Sequence, residues 1–257
     1  MTTTLTTPAV TRLDEITTTL SGWQTAGRPG FLHPGDLGWH STVTVREVGR
    51  DLTTGRVLPS GTVTVEARGA LALRARLRAQ GWDEDEPWTP LRLDLRTPVR
   101  TGPRDAVLRV EEVGPDAAAE WTAVHRSAFR RTTPSAGESR ALVRRWTTMA
   151  TAPFAHLAHH LVGYDATDRP VAVTTVWTAG GGRPGLVEPM GVHRDHHGHG
   201  YGTAVTLAGA RVLQQHGASA AAVVAENSNT GALATYLAAG FTADEPVADL
   251  TRSSHLA

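Results

Sequence analysis

Cysteine is absent from the 257-residue chain. Its absence excludes disulfides, a thiol nucleophile and a cysteine-ligated metal. Lysine is absent too, so every basic side chain other than histidine is an arginine. Isoleucine occurs once, as Ile16, amid abundant alanine, glycine, arginine and threonine. That usage is expected of a high-GC bacterium such as an actinomycete. No apolar run approaches the roughly eighteen residues that a membrane-spanning helix needs. Residues 1–10 are threonine-rich and lack a basic stretch followed by an apolar core. A secretory signal is therefore not expected, and the cytoplasm is the simplest location. Neither sign of charge is in excess: Lys+Arg and Asp+Glu are 25 each, for a formal net charge of +0. This neutrality argues against nucleic acid as the main partner, and no membrane association is expected.

What is present describes a globular protein, 40% apolar and 19% charged, of a length that fits one large domain or two small ones. Residues 1–20 read as a loose polar arm with a short helix near 12–20. Residues 21–104 read as a smaller α+β accessory segment. It carries Trp23, Phe31, Trp39, Trp82 and Trp88, strands over 40–48, 62–67 and 91–95, and a helix over 70–80. Residues 97–104, with Pro98, Gly102 and Pro103, read as a linker. From 105 to 257 the pattern is regular. Strands are expected over 106–113, 157–164, 171–177, 185–192, 219–225 and 246–250. Helices are expected over 117–129, 138–149, 203–216 and 230–239. This alternation predicts an α/β domain with a mixed central sheet flanked by helices.

Two motifs carry chemistry. The first is His197-Gly198-His199-Gly200-Tyr201-Gly202, between an apolar strand and an apolar helix that opens near Thr203. Glycines at alternate positions let the backbone approach an anion, and the free N–H groups of the first helical turn point at it. The second is Asn229-x-x-Ala232-x-x-x-Tyr236-x-x-x-Gly240-Phe241. Asn229 reads as a helix N-cap and Gly240 as the residue past the helix end, with Leu233, Tyr236 and Leu237 on one face. About twenty-five residues separate the glycine turn from Asn229, room for one helix and one strand. A Rossmann dinucleotide site is disfavoured. The glycine turn lies late in the chain, and the nearest downstream acid, Glu226, is too far from it.

Together the two motifs, over roughly residues 105–250, resemble the GNAT superfamily of acyl-CoA-dependent N-acyltransferases. The resemblance implies a GNAT-like mixed sheet with an N-terminal extension; a shortened second copy of the fold is an alternative for residues 21–104. It implies acetyl-CoA as co-substrate and a small-molecule or peptide amine as acceptor. Coenzyme A would be held by Met190, Gly191, Val192, His197, Gly198, His199, Gly200, Tyr201, Gly202, Thr203 and Asn229. The strand before the turn would splay from its neighbour, exposing an edge to the pantetheine arm. Pro189, with no N–H, would leave that pairing to its neighbours. His197 stands where the family usually has Gln or Arg, and Arg194 where proline is common. The first implies weaker binding and the second a less rigid turn; together they leave a degenerate site that binds acyl-CoA without turnover as the alternative.

Acyl transfer from a thioester to an amine needs a base for the ammonium and an acid for the departing thiolate. Glu188 shares strand parity with Met190 and Val192 and is the candidate base; an ion-paired structural glutamate is the alternative. Tyr236 is the candidate acid, with an ordinary phenol near pKa 10 about two units from a thiol. Transfer of a longer acyl group is an alternative. His193, His196, His197 and His199 have spacings that ligands can use, but no further ligand completes a set, so no metal is expected. Trp121, Phe129, Trp146 and Phe154 line either an acceptor pocket or the core. One of His159 and His160 is expected to face inward. A homo-oligomer stays open.

Overall fold

A computed structural model describes residues 13–24, 33–36, 61–65, 71–102 and 107–254. The strand expected over 40–48 lies outside these residues. Helix α1 (Leu13–Trp23), strand β1 (Gly61–Val65), helix α2 (Leu71–Ala79) and strand β2 (Asp83–Asp94) come from the N-terminal part. Strand β3 (Arg109–Glu112), helices α3 (Ala118–Phe129) and α4 (Ala136–Ala150), and strands β4 (Ala158–Tyr164), β5 (Pro170–Trp177) and β6 (Pro184–Val192) follow. Then come helix α5 (Tyr201–Gln215), strand β7 (Ala220–Glu226), helix α6 (Thr230–Ala238), and strands β8 (Thr242–Ala243) and β9 (Val247–Ser254).

The strands form one mixed sheet in the order β1-β9-β2-β7-β6-β5-β4-β3, with β8 beside β2. Every neighbouring pair is antiparallel except β6 and β7. Strand β5 is buried along nearly its whole length, as a strand covered on both faces must be. Trp121 and Met149 of α3 and α4 pack on Val162, Val173 and Trp177 on one face. Val205 and Leu213 of α5 fill the other.

Strand β2 is longer than the expected 91–95. Pro87 and Pro90 argue against a central strand because each removes a ladder donor. Pro90 nonetheless sits opposite Val224 of β7. On the far side of β2, pairing with β9 ends at Trp88 and pairing with β8 begins at Leu91. The missing donor of Pro90 faces that gap, where its carbonyl accepts from the Asp244 N–H at 2.8 Å.

Helix α4 starts two residues earlier than expected, behind a capping box: the Ser135 Oγ accepts from the Glu138 N–H, and the Glu138 carboxylate accepts from the Ser135 N–H. Phe129 was expected to face inward but is 53% exposed. It is the last residue of α3, and Arg130 already leaves in an extended conformation. No helix among the described residues is long and apolar enough to cross a membrane.

Candidate active site

Strands β6 and β7 pair only at Pro184↔Ala220, Gly185↔Ala221 and Leu186↔Ala222. On its other side β6 stays paired with β5 as far as Val192. The two parallel strands therefore part after Leu186, and the edge of β6 from Val187 to Val192 opens toward the gap. A bulge shapes this edge. Val176 opposes Val187 and Thr174 opposes Met190, so Thr175 faces both Glu188 and Pro189. A bulge of two residues against one interrupts the ladder and redirects side chains. Side chains of β5 take up the freed carbonyls: the Trp177 Nε1–H donates to the Glu188 carbonyl at 2.7 Å, and the Thr174 hydroxyl to the Pro189 carbonyl at 3.0 Å. Glu188, Met190 and Val192 are half-buried, while Pro189 and Gly191 are buried.

Gly191 has a separate reason. A Cβ there would stand 2.7 Å from the Ala128 Cβ and 3.1 Å from the Phe129 ring. The end of α3 therefore rests on the backbone of β6, a contact only glycine permits.

The glycine turn follows at the end of β6. Gly198 and Gly200 have φ of +82° and +79°, the left-handed region that costs other residues about 1–2 kcal/mol. Nothing lies within 4 Å of a Cβ built at either one, so the space above the turn is open. Gly202 differs: its Cβ would meet the Thr235 Cγ2 at 3.0 Å, so it serves the close packing of α5 against α6. Gly200 caps α5 without a side chain, and the first intrahelical bond runs from the Ala204 N–H to the Gly200 carbonyl. The amides of Tyr201, Gly202 and Thr203 precede that bond and have no helical acceptor.

The turn's histidines fold back on the backbone. His197 Nε2 lies 3.0 Å from the Val192 carbonyl, and His199 Nδ1 lies 2.9 Å from the His197 carbonyl. Among the described residues no three His, Cys, Asp or Glu side chains come together as a metal site requires. Arg194, in the place of a common proline, ties the turn to the end of α3. Its backbone N–H and Nε both reach the Ser127 hydroxyl, at 3.3 and 3.2 Å, and its Nη1 donates to the Arg131 carbonyl.

Helix α6 brings Tyr236 to the other wall. Asn229 Oδ1 accepts from the Ala232 N–H at 3.1 Å, so this side chain caps the helix. At the far end the Phe241 N–H donates to the Tyr236 carbonyl and the Gly240 N–H to the Leu237 carbonyl, with Gly240 at φ +91°. That is a Schellman closure, and the Phe241 ring rests 5.7 Å from the Tyr236 ring. The spacing Tyr236-x-x-x-Gly240-Phe241 is thus a lock on the tyrosine. Leu237, which shares a face with Tyr236 by spacing, is 52% exposed. The buried positions are Tyr236 and the C-cap Ala239, one residue before Leu237 and two after it. Burial pushes the Tyr236 phenol well above its ordinary range, and the Glu188 carboxylate adds to the push. The two candidate catalytic groups are therefore within electrostatic reach of each other across the gap. The phenol, however, is a weaker acid than the ordinary value near 10.

Trp121, Trp146 and Phe154 are core residues. His159 and His160 are both buried. His159 Nδ1 meets the Glu112 carboxylate and His160 Nδ1 the Thr175 hydroxyl, each at 2.8 Å. Sequence reasoning assigned no role to Trp177 or to residues 33–36. Their link to the site is a long-range contact that no local pattern signals.

Residues 120–241 match the family described as "Acetyltransferase (GNAT) family". Similar solved structures include a tandem GNAT protein from the clavulanic acid biosynthesis pathway, with TM-score 0.57 and 20% identity over 88% of this chain and 71% of that one. A GCN5-related N-acetyltransferase from Sphaerobacter thermophilus has TM-score 0.57 and 18% identity over 76% and 59%. A GNAT-family acetyltransferase from Colwellia psychrerythraea has TM-score 0.56 and 10% identity over 96% and 98%. At these identities the likeness is one of fold. No curated protein matches the sequence.

Proposed function

On a chain that carries the GNAT-superfamily acetyltransferase fold with an additional N-terminal segment, we propose that the cleft between β6 and β7 transfers an acetyl group from acetyl-CoA to a primary amine of a small-molecule or peptide acceptor. The observation that carries this reading is the parting of β6 from β7 directly ahead of the glycine turn. An open strand edge suits the amide-bearing pantetheine arm. The amides of Tyr201, Gly202 and Thr203 suit the pyrophosphate, with Gly198 and Gly200 leaving room above them. Met190, Gly191 and Val192 then line the arm, with His197, His199 and Asn229 at its margins.

Glu188 takes the proton of the acceptor's ammonium, directly or through water, and frees the nitrogen lone pair. That pair forms the bond to the thioester carbonyl carbon, the carbon–sulfur bond breaks, Tyr236 donates a proton to the departing sulfur, and the new amide nitrogen gives its surplus proton to the phenolate, directly or through water. The coupling between the two groups gives the step its order. Burial holds the phenol's proton on, and the Glu188 carboxylate adds to that hold. Once Glu188 carries the ammonium proton its share of the push is gone while that of burial stays, so Tyr236 is a better acid than before as the thiolate leaves. Residues 105–257 are the proposed transferase domain and residues 21–104 its accessory segment. The cytoplasm, where acetyl-CoA is made, is the proposed location.

Calorimetric titration with acetyl-CoA, with free CoA and NADH as comparisons, tests the cradle. A thiol-release assay with spermidine, tyramine, glucosamine and the dipeptide Ala-Gly tests transfer. Micromolar acetyl-CoA binding with thiol release is expected. One contact favours a second reading, a module that binds acyl-CoA without turnover: His197 engages the Val192 carbonyl at the end of the edge. Binding without thiol release from any acceptor would select that reading. No binding at millimolar concentration would end both.

A further inference from the structure

Residues 33–36 are buried or half-buried, far in sequence from the cleft yet tied to it. Their own geometry is closed. The His33 N–H donates to the Asp36 carboxylate at 2.6 Å, and the Asp36 N–H donates to the His33 carbonyl at 3.0 Å. The His33 ring then makes two bonds of opposite kind. Nδ1 accepts from the Gly35 N–H at 2.9 Å, and Nε2 lies 3.2 Å from the Pro184 carbonyl, at the start of β6. Only the neutral ring with its proton on Nε2 satisfies both. Burial pushes the imidazole down to about 4, against its bond to Pro184 and the nearby Glu188 carboxylate, which push the other way. His33 is therefore neutral at physiological pH and within electrostatic reach of Glu188.

The second tie is steric. A Cβ on Gly35 would stand 2.5 Å from the Trp177 Cγ, so the backbone of this segment lies directly on the indole. Trp177 is fully buried, packs with the side chains of α3 and α4, and donates to the Glu188 carbonyl in the bulge. Contacts thus run from His33 and Gly35 to both ends of the stretch that presents Glu188: Pro184 on one side, Trp177 and the bulge on the other. Helix α1, from the same part of the chain, packs against the short 3-10 turn Pro153–Leu157 on this face.

We propose that residues 33–36 form part of the active site on its α3/α4 face, with His33 as the positioning residue that fixes where Glu188 stands. This rests on the reading of Glu188 as the base. The N-terminal segment then completes the transferase site, and the acceptor's ammonium meets Glu188 beside it.

The test uses the full chain as wild type, His33→Ala, His33→Gln and Gly35→Ala. Gln keeps a side-chain N–H that reaches the Pro184 carbonyl; Ala removes both ring bonds. Hydrogen–deuterium exchange is read first, since it needs no acceptor. His33→Ala and Gly35→Ala should speed exchange across 184–192 and leave 201–215 unchanged. With acetyl-CoA and whichever of spermidine, tyramine, glucosamine or Ala-Gly the wild type acetylates, kcat should fall about 10- to 100-fold, the scale of a small misplacement of a reacting group. The KM for acetyl-CoA should stay within about twofold, and His33→Gln should recover most of the loss. Unchanged exchange over 184–192 in His33→Ala overturns the proposal. So does faster exchange everywhere, which marks a merely structural residue. If the wild type acetylates none of the four amines, the transferase reading fails, while exchange still decides whether His33 holds the Glu188 strand.

Discussion

Glu188 and Tyr236 have separable jobs, and each leaves its own kinetic mark. Tyr236 is protonated throughout the physiological range, because burial and the Glu188 carboxylate both oppose the phenolate. Its loss should therefore remove a donor without adding a pH step. Tyr236→Phe keeps the ring against Phe241 and should lower kcat by about 100-fold or more, a usual share for a positioned proton donor. Acetyl-CoA affinity by calorimetry should stay within about twofold. An unchanged kcat would take the tyrosine out of the chemistry. Glu188→Gln removes the base but not the shape. The acceptor must then arrive already neutral, so kcat/KM should climb tenfold per pH unit up to the pKa of the amine. A profile parallel to wild type would return Glu188 to a structural role.

The glycines of β6 and of the turn look alike in the sequence and differ in what they do. Gly200→Ala meets no neighbour but forces a side chain into the left-handed region, a cost of about 1–2 kcal/mol. It also disturbs the amides of the first turn of α5. Gly191→Ala has no such φ but drives a methyl into Ala128 and Phe129, an overpacking cost of about 1–3 kcal/mol. Urea denaturation should show both losses. Acetyl-CoA affinity should fall more for Gly200→Ala, and Ala128→Gly should partly restore stability in Gly191→Ala alone. A full recovery of Gly200→Ala by that second change would contradict the assignment.

The sequence patterns made the elements from β3 to α6, the glycine turn and the tyrosine lock legible, because periodicity, caps and left-handed glycines are local signals. What they hid was tertiary. Pro87 and Pro90 masked β2 because a strand is read as if both sides were paired. Phe129 and Leu237 share helical faces with buried residues and are exposed all the same, because helical spacing marks a stripe but not where the helix stops. His33 had no local signature of a link to the site, since its ring partner Pro184 is brought to it only by the fold.

Acid should open the molecule from one side. His33, His125 and His160 are each pushed down to about 4, in every case chiefly by burial. All three lie on the face covered by α3 and α4. His125 stacks on Trp121 at 5.1 Å between ring centroids, His160 lies 4.6 Å from the Trp146 ring, and His33 anchors the segment that covers Trp177. In the unfolded chain a histidine takes up its proton near pH 6.5. Between that value and about 4 the unfolded state binds more protons than the folded one, so stability must fall as the pH falls through this window. Well above 6.5 all three are neutral in both states and the dependence vanishes. Below about 4 the folded rings are protonated as well and the loss levels off. A depression of this size is worth at most about 3 kcal/mol per ring. Carboxylates make a different contribution: Asp94 is held down to about 2 by Arg96, and its share is lost only toward that lower value. Urea midpoints measured at pH 7, 6, 5 and 4.5 should therefore drop steeply across the histidine window. In His160→Gln, which keeps a polar partner for the Thr175 hydroxyl, the drop should be shallower. A midpoint that stays level from pH 6.5 to 4.5 would mean that these rings accept protons without leaving their places.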